Sequence, residues 1–165
     1  EWAEIDSERA LWTIPAAKMK RTVHGKVNGR PHLVPLAPQA LAVLKDLRPL
    51  TGHGRYVFPS MLTGEACMSE NTIRAALRRM GYANDEMTAH GFRAMARTIL
   101  DEVLHFPPHL IELQPAHAVR DPNGRAYNRT AHLPERRTMM QAWADYLDRL
   151  KAGAEIVPML SKVRQ

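Results

Sequence analysis

The spacing of apolar residues changes near residue 37, and this change limits the fold more than any other feature of the sequence. Before that point, short runs alternate between apolar and polar residues, as strands with one buried face do. Three such runs lie at residues 2–5, 10–14 and 32–36. After that point, apolar residues recur every three or four positions, which is typical of amphipathic helices. The sequence therefore predicts a mainly helical α+β fold with a small antiparallel sheet near its N-terminus.

Prolines, glycines and capping residues divide the remainder of the chain into segments. Helices are predicted over residues 38–48, 69–80, 87–104, 108–115 and 134–152, and a short buried strand is predicted over 56–59. Pro49 is expected to end the first helix, and Arg97 and Asp101 are expected to pair on the third. The predicted core stripes include Ile73, Ala76, Leu77, Met80, Phe92, Ala96, Ile99, Leu100, Val103, Met139, Met140, Trp143, Tyr146, Leu147 and Leu150.

The length of 165 residues fits one domain with a buried core, so residues 1–165 are interpreted as a single domain. Residues 155–165 are expected to form a tail that packs on this domain or is exchanged with a neighbour. The single cysteine, Cys67, excludes a disulfide within the chain and is expected to be a small buried residue. No apolar run is long enough to cross a membrane.

The chain is basic, with 23 Lys and Arg against 17 Asp and Glu, a net charge of +6 and a pI near 9.8. This balance favours a polyanionic partner, nucleic acid before a membrane surface, although charge that serves only solubility is the alternative. Residues 18–30 form the most basic stretch and contain no acid. This stretch predicts a hairpin loop for which phosphate contact is favoured over the alternative, a solvated hairpin tip. The cations proposed to contact DNA are Lys18, Arg21, Lys26 and Arg30 from this loop, with Arg74 and Arg78 from the second helix.

Three separated clusters between residues 88 and 129 carry side chains suited to phosphate chemistry. His90 and Arg93 stand three apart and therefore share one face of a helix, and His117 and Tyr127 follow. Arginine binds a phosphate with two N–H groups, histidine exchanges protons near neutral pH, and tyrosine can act as a covalent nucleophile. Together they suggest attack on a phosphodiester.

Other chemistries have weaker support in the sequence. His90, His105, His109 and His117 follow no metal-binding spacing with a nearby carboxylate, and Pro107 and Pro108 interrupt any regular helix between His105 and His109. A glycine-rich phosphate loop and a paired-carboxylate arrangement are also missing from the sequence, which disfavours an ATPase or a glycosidase. We therefore expect no metal and no cofactor; a metal-dependent hydrolase that uses the histidines is a distant alternative, for which sensitivity to a chelator would be the test.

The order of these clusters resembles the catalytic domain of the tyrosine recombinases, the phage integrase family, along nearly the whole chain. The resemblance rests on the stretches Glu1–Asp6, His32–Leu36, Thr88–Arg93, Ala126–Arg129 and Trp143–Leu147, which are similar to the integrases of prophages and genomic islands in particular. The Ala116–His117 pair and the basic loop occupy the places that this family requires.

The resemblance implies a role for each residue. Tyr127 is the expected nucleophile, Arg93 the expected phosphate ligand, and His90 and His117 the expected hydrogen-bonding and proton-transfer groups. Lys20 is the expected general acid, with Lys18 as the second choice. The implied activity is site-specific recombination through a 3′-phosphotyrosine, without ATP or metal. The implied partners are double-stranded DNA attachment sites and three further copies of the chain on DNA, with a monomer when free, in the cytoplasm of a bacterial host.

The sequence also departs from the family pattern. The family's first catalytic arginine and its N-terminal DNA-binding domain precede the first strand, so we expect this chain to be a fragment of a longer protein that cleaves DNA poorly alone. Pro115 stands where leucine is expected, and His117 and Tyr127 are ten residues apart, one more than the usual spacing. The alternative interpretation is a DNA-binding remnant of an integrase that has lost catalysis.

Overall fold

The computed structural model describes residues 1–19, 23–115 and 132–153, which form a mainly helical structure with a small antiparallel sheet. The sheet contains β1 (Ile5–Asp6), β2 (Leu11–Ile14) and β3 (His32–Pro35) in that spatial order. The α-helices are α1 (Val23–Val27), α2 (Pro38–Thr51), α3 (Asn71–Arg79), α4 (Ala89–Thr98), α5 (Pro108–Leu113) and α6 (Leu133–Lys151). Within these residues, the α+β architecture expected from the sequence is confirmed.

The sheet follows the predicted strands except at its beginning. β2 pairs with β3 from Leu11 opposite Pro35 to Ile14 opposite His32, and Pro35 ends an edge strand, where a missing N–H is tolerated. Residues Trp2–Glu4, predicted as strand, instead form one turn of 3₁₀ helix. The indole of Trp2 is buried and donates to the carbonyl oxygen of Thr51 at 3.0 Å. The alternation in this stretch therefore reflects the anchoring of Trp2 to the end of α2.

The predicted helices are present, and their ends differ by a few residues. α2 begins at Pro38 and continues through Pro49 to Thr51, so the prediction that Pro49 ends this helix was wrong. Proline removes one N–H, whose acceptor would be the carbonyl of Lys45. Because Lys45 and Pro49 are both exposed, water can satisfy that carbonyl. Residues 56–59, predicted as a strand, pair only through an isolated bridge between Pro59 and Cys67.

The main apolar core lies where the C-terminal end of α4, α5 and α6 meet. Leu100, Leu110, Ile111 and Met139 are buried together, and the partly buried Leu104, Phe106, Met140 and Trp143 pack around them. α4 continues beyond Thr98 as a π-helical turn over Ile99–Val103, in which the N–H of Leu104 donates to the carbonyl of Ile99 at 2.9 Å. Leu100 belongs to this turn.

Several predicted core residues lie on the surface of the described structure. The exposed members of the predicted stripes are Ile73, Met80, Phe92, Val103, Leu147 and Leu150, and Cys67 is exposed as well. Helical periodicity identifies an apolar face but does not establish that another element covers it. The predicted inward positions of Leu77, Leu100, Met139 and Tyr146 are confirmed by their burial.

The described helices were also compared with the requirements of a membrane span. None of them combines the length and the apolar character needed to cross a bilayer.

Replacing Met139 with alanine tests the central packing. Met139 has 0% of its surface exposed, so Met139→Ala should lower the free energy of unfolding by about 2–5 kcal/mol. The matched control is Met61→Ala, because Met61 is 97% exposed and the same change there should cost less than about 0.5 kcal/mol. Urea denaturation followed by circular dichroism measures both, and equal losses would contradict the proposed core.

Candidate functional site

The N-terminal half of α4 carries two of the predicted site residues. Thr88 caps this helix, since its Oγ1 accepts a hydrogen bond from the N–H of Gly91 at 3.0 Å. The cap fixes Ala89 as the first helical residue, so His90 lies in the first turn and Arg93 lies one turn later on the same face. Both residues are exposed, which makes them accessible to a large ligand.

His90 lies on an open polar groove between α3 and the start of α4, which we call the α3 groove. The groove has a volume of about 440 Å³. It is lined by Glu70, Asn71, Arg74, Asn84, Thr88, Ala89 and His90. The structure therefore brings Arg74, predicted to contact DNA, to the same groove as His90.

Arg93 lies on a second groove of about 170 Å³, which we call the α5 groove. Its other walls include Gln114 and Pro115 at the end of α5 and Trp143 on α6. Gln114 and Pro115 are the last described residues before Ala116 and His117. Arg93 thus faces the segment that leads directly toward the second predicted histidine.

An ion pair closes one side of the α5 groove. Arg97 Nε lies 2.7 Å from Glu112 Oε1, and this carboxylate raises the pKa of the Arg97 guanidinium. The prediction that Arg97 pairs with Asp101 was wrong. Glu112 of α5 forms the ion pair in its place, and Asp101 adds only a weaker electrostatic attraction to the Arg97 guanidinium.

The other predicted arginine of α3 contacts the backbone within the chain. The half-buried Arg78 donates to the carbonyl oxygens of Tyr82 and Met87. These bonds hold the loop that ends at Thr88, directly before the helix that carries His90. Arg74 is exposed on the α3 groove, whereas Arg78 braces the loop behind it.

The described part of the basic stretch contains a helix. Residues Val23–Val27 form the short helix α1, where the sequence predicted a hairpin loop, and Lys26 and Arg30 are exposed. Lys18 Nζ lies 2.5 Å from a carboxylate oxygen of Glu1 and 2.5 Å from one of Glu4. Hydrogen bonds to Glu1 and Glu4 raise the pKa of Lys18, so this ammonium is already engaged.

Several predicted residues lie outside the part of the chain that the structure describes. These are Lys20, Arg21, His117 and Tyr127, together with the tail at 155–165. Their roles stay predictions. Among the described residues, no group of three or more His, Cys, Asp or Glu side chains is arranged to hold a metal ion.

Sequence reasoning missed a buried polar cluster beside the α5 groove. Arg136 on α6 has no exposed surface; its Nη2 donates to the Leu33 carbonyl at 2.8 Å and its Nε donates to Gln114 Oε1 at 2.9 Å. Burial lowers the pKa of Arg136 to about 10. The buried ring of His32 has its Nε2 2.9 Å from the Gln114 carbonyl oxygen. The sequence did carry one sign of this cluster, because Arg136 is a charged residue three positions before Met139 and thus lies on the apolar stripe of α6.

Three known proteins are similar to this chain along most of its length. Prophage integrase IntA of Escherichia coli K12 is 40% identical over 99% of the chain and 37% of its own length. The integrase of Enterobacteria phage P4 is 41% identical over 89% of the chain and 35% of its own length. Prophage integrase IntZ of Escherichia coli K12 is 38% identical over 92% of the chain and 35% of its own length. The chain spans little more than a third of each of these relatives. No protein-family profile and no solved structure matches it.

Removing the cap of α4 tests how His90 is positioned. Thr88→Ala should lower the free energy of unfolding by about 1 kcal/mol and speed amide exchange at residues 89–92, because the N–H of Gly91 loses the hydroxyl acceptor and keeps only the Thr88 carbonyl oxygen at 3.0 Å. Thr98→Ala is the matched control, since its side chain makes no capping bond. Thr88→Ser should retain the cap. Equal effects of the two alanine variants would contradict this function of Thr88.

Proposed function

Since this chain is a relative of the phage and prophage integrases, we propose that it carries the catalytic chemistry of a tyrosine site-specific recombinase. The observation that carries the proposal is the placement of His90 and Arg93 one turn apart on α4. One residue faces a groove with Arg74, and the other faces the segment that precedes His117. This placement supports a phosphate bound across the start of α4 as the ligand of both side chains.

The proposed reaction is a transesterification at a DNA phosphorus. The Tyr127 hydroxyl gives its proton to one of the two histidines, His90 or His117, and its oxygen bonds to phosphorus, while the bond from phosphorus to the 5′ oxygen breaks. The products are a 3′-phosphotyrosine and a free 5′-hydroxyl, which receives its proton from Lys20. Attack by the 5′-hydroxyl of a partner strand on the phosphotyrosine reverses these steps and joins the two exchanged DNA strands. The phosphodiester energy is kept in the covalent link, so hydrolysis of ATP is not needed.

Arg93 and His90 are suited to stabilise the charge that develops on the phosphoryl oxygens. A guanidinium offers two parallel N–H donors to two oxygens, and donors already in place cost no reorganisation during the reaction. His90 lies in the first turn of α4, where the helix dipole adds partial positive charge. His117 is proposed to complete the set of donors and proton-transfer groups.

DNA is the proposed partner of the basic surface. The chain carries a net charge of +6, and Arg74, Lys26 and Arg30 are exposed cations among the described residues. Contacts from such side chains to phosphates supply affinity without reading sequence. We propose that the protein to which this chain belongs acts on double-stranded attachment sites as a homotetramer in the bacterial cytoplasm.

Trapping a covalent intermediate tests the reaction and its nucleophile together. Incubation of the full-length gene product with a nicked duplex of its attachment site should give a protein–DNA adduct on denaturing gels. Tyr127→Phe should abolish the adduct because the attacking oxygen is missing. Tyr82→Phe is the matched control and should leave adduct formation unchanged, since Tyr82 is an exposed loop residue whose hydroxyl has no proposed role.

Two failures of this experiment have different meanings. An adduct formed by the Tyr127→Phe variant would reject Tyr127 as the nucleophile. Specific DNA binding without any adduct from the unmodified protein would reject catalysis and favour the DNA-binding remnant.

A second experiment distinguishes Lys20 from Lys18 as the general acid. Lys20→Gln should slow cleavage by about 100- to 10,000-fold, whereas Lys18→Gln should have a much smaller effect because Glu1 and Glu4 already hold its ammonium. A substrate with sulfur in place of the leaving 5′ oxygen needs no proton donor. It should therefore restore the rate of the Lys20→Gln variant in a single-turnover assay. Restoration of the Lys18→Gln variant alone would reverse the assignment.

A further inference from the structure

The buried guanidinium of Arg136 has no part in the reaction described above, although it lies next to the α5 groove. Arg136 belongs to α6 and its donors diverge to two other elements, Nη2 to Leu33 of β3 and Nε to Gln114 at the end of α5. Burial of a charged group is costly unless hydrogen bonds compensate it. An apolar side chain would fill the same space without that cost but would form neither bond.

Gln114 is held at two points. Its side-chain oxygen accepts from Arg136, and its main-chain oxygen lies 2.9 Å from the ring nitrogen Nε2 of His32. Gln114 also has helical backbone angles, φ −65° and ψ −46°, although it precedes Pro115. Residues before proline prefer an extended backbone. The contacts from Arg136 and His32 therefore select one of two conformations that differ in the direction taken by Pro115.

This choice determines the shape of the α5 groove. Gln114 and Pro115 form a wall of the groove that Arg93 also lines. An extended Gln114 would rotate Pro115 away from the end of α5 and change the space in front of the Arg93 guanidinium. Small displacements of a positioned catalytic group reduce reaction rates strongly.

We propose that Arg136 is a positioning residue that holds Gln114 and Pro115 in place opposite Arg93 for strand cleavage. The inference rests on the proposed recombinase function, because Arg93 matters here as a phosphate ligand. Arg136 acts through Gln114 and touches no DNA. Lysine cannot replace it, since a single ammonium on a flexible stem does not reproduce two fixed and divergent N–H donors.

The test compares variants of the full-length gene product. Arg136→Lys keeps the charge but loses the two divergent N–H donors. Gln114→Ala removes the side-chain oxygen that accepts from Arg136, and a double variant combines the two changes. The matched control is Arg137→Lys, which changes the neighbouring exposed arginine that donates to the Arg9 carbonyl at 2.6 Å. Three quantities are measured: amide exchange over residues 108–115, the Kd for the nicked duplex, and the rate of adduct formation at saturating duplex.

We expect Arg136→Lys to speed amide exchange over 108–115 and to slow adduct formation by about 10- to 100-fold, with Kd changed less than about twofold. Gln114→Ala should have a similar effect on both quantities. The double variant should be no slower than the slower single variant, because both changes remove the same Arg136–Gln114 bond and the other bonds of Arg136 are already altered in Arg136→Lys. Arg137→Lys should leave all three quantities unchanged. If Arg136→Lys does not fold, Gln114→Ala with Gln114→Glu, which retains an acceptor, gives the same comparison.

Other outcomes would overturn the inference. If affinity for the duplex and the rate of adduct formation fell together, Arg136 would serve general stability. The same would follow if the rate losses of the two single variants added up in the double variant. Unchanged exchange over 108–115 would mean that it does not hold the groove wall. Absence of an adduct from the unmodified protein would overturn the proposed function and this role within it, and the exchange measurement would still report whether Arg136 holds Gln114.

Discussion

The relative position of α4, α5 and α6 depends on one apolar contact, in which Leu100 packs with Leu110, Ile111 and Met139. Leu100 lies in the π-helical turn that follows Thr98, so the helix that carries His90 and Arg93 joins the core through this turn. Beside it, Arg97 forms an ion pair with Glu112, which ties the end of α4 to α5 on the surface as well.

The distribution of charge follows from these contacts and differs from what the net charge of +6 suggests. Carboxylates already engage Lys18 and Arg97, and main-chain carbonyls engage Arg78. Arg74 remains exposed beside His90. A polyanion at the α3 groove would meet Arg74 together with the positive end of the α4 helix dipole, beside the carboxylate of Glu70. The local arrangement, more than the total charge, supports an anionic partner.

The sequence predicted the features that depend on local patterns. Alternation located β2 and β3, and Pro38, Pro108, Gly81 and Gly153 marked helix ends within a few residues of those observed. Features set by distant partners were missed. Trp2 was predicted to lie in a strand, because the alternating pattern around it could not reveal Thr51 as its hydrogen-bond partner. The exposure of Phe92 and Leu150 depends on which surfaces the other elements cover. For the site, the sequence placed His90 and Arg93 on one helix but gave no sign of the grooves on which they lie.

Arg136 illustrates why this limit is physical. Its bond to Leu33 joins residues 103 positions apart, so no local pattern could identify the acceptor. Its position on the apolar stripe of α6 did carry a signal, because a cation there must either leave the core or find buried acceptors. The acceptors it found on β3 and at the end of α5 join the sheet to the α5 groove. Arg78 makes a comparable contact with the Met87 carbonyl on the other side of α4. Both ends of the region around His90 and Arg93 are thus held by arginines that themselves lie outside the proposed chemistry. Hydrogen bonds to fixed main-chain atoms constrain the path of the backbone, which is what a site assembled from separate helices requires.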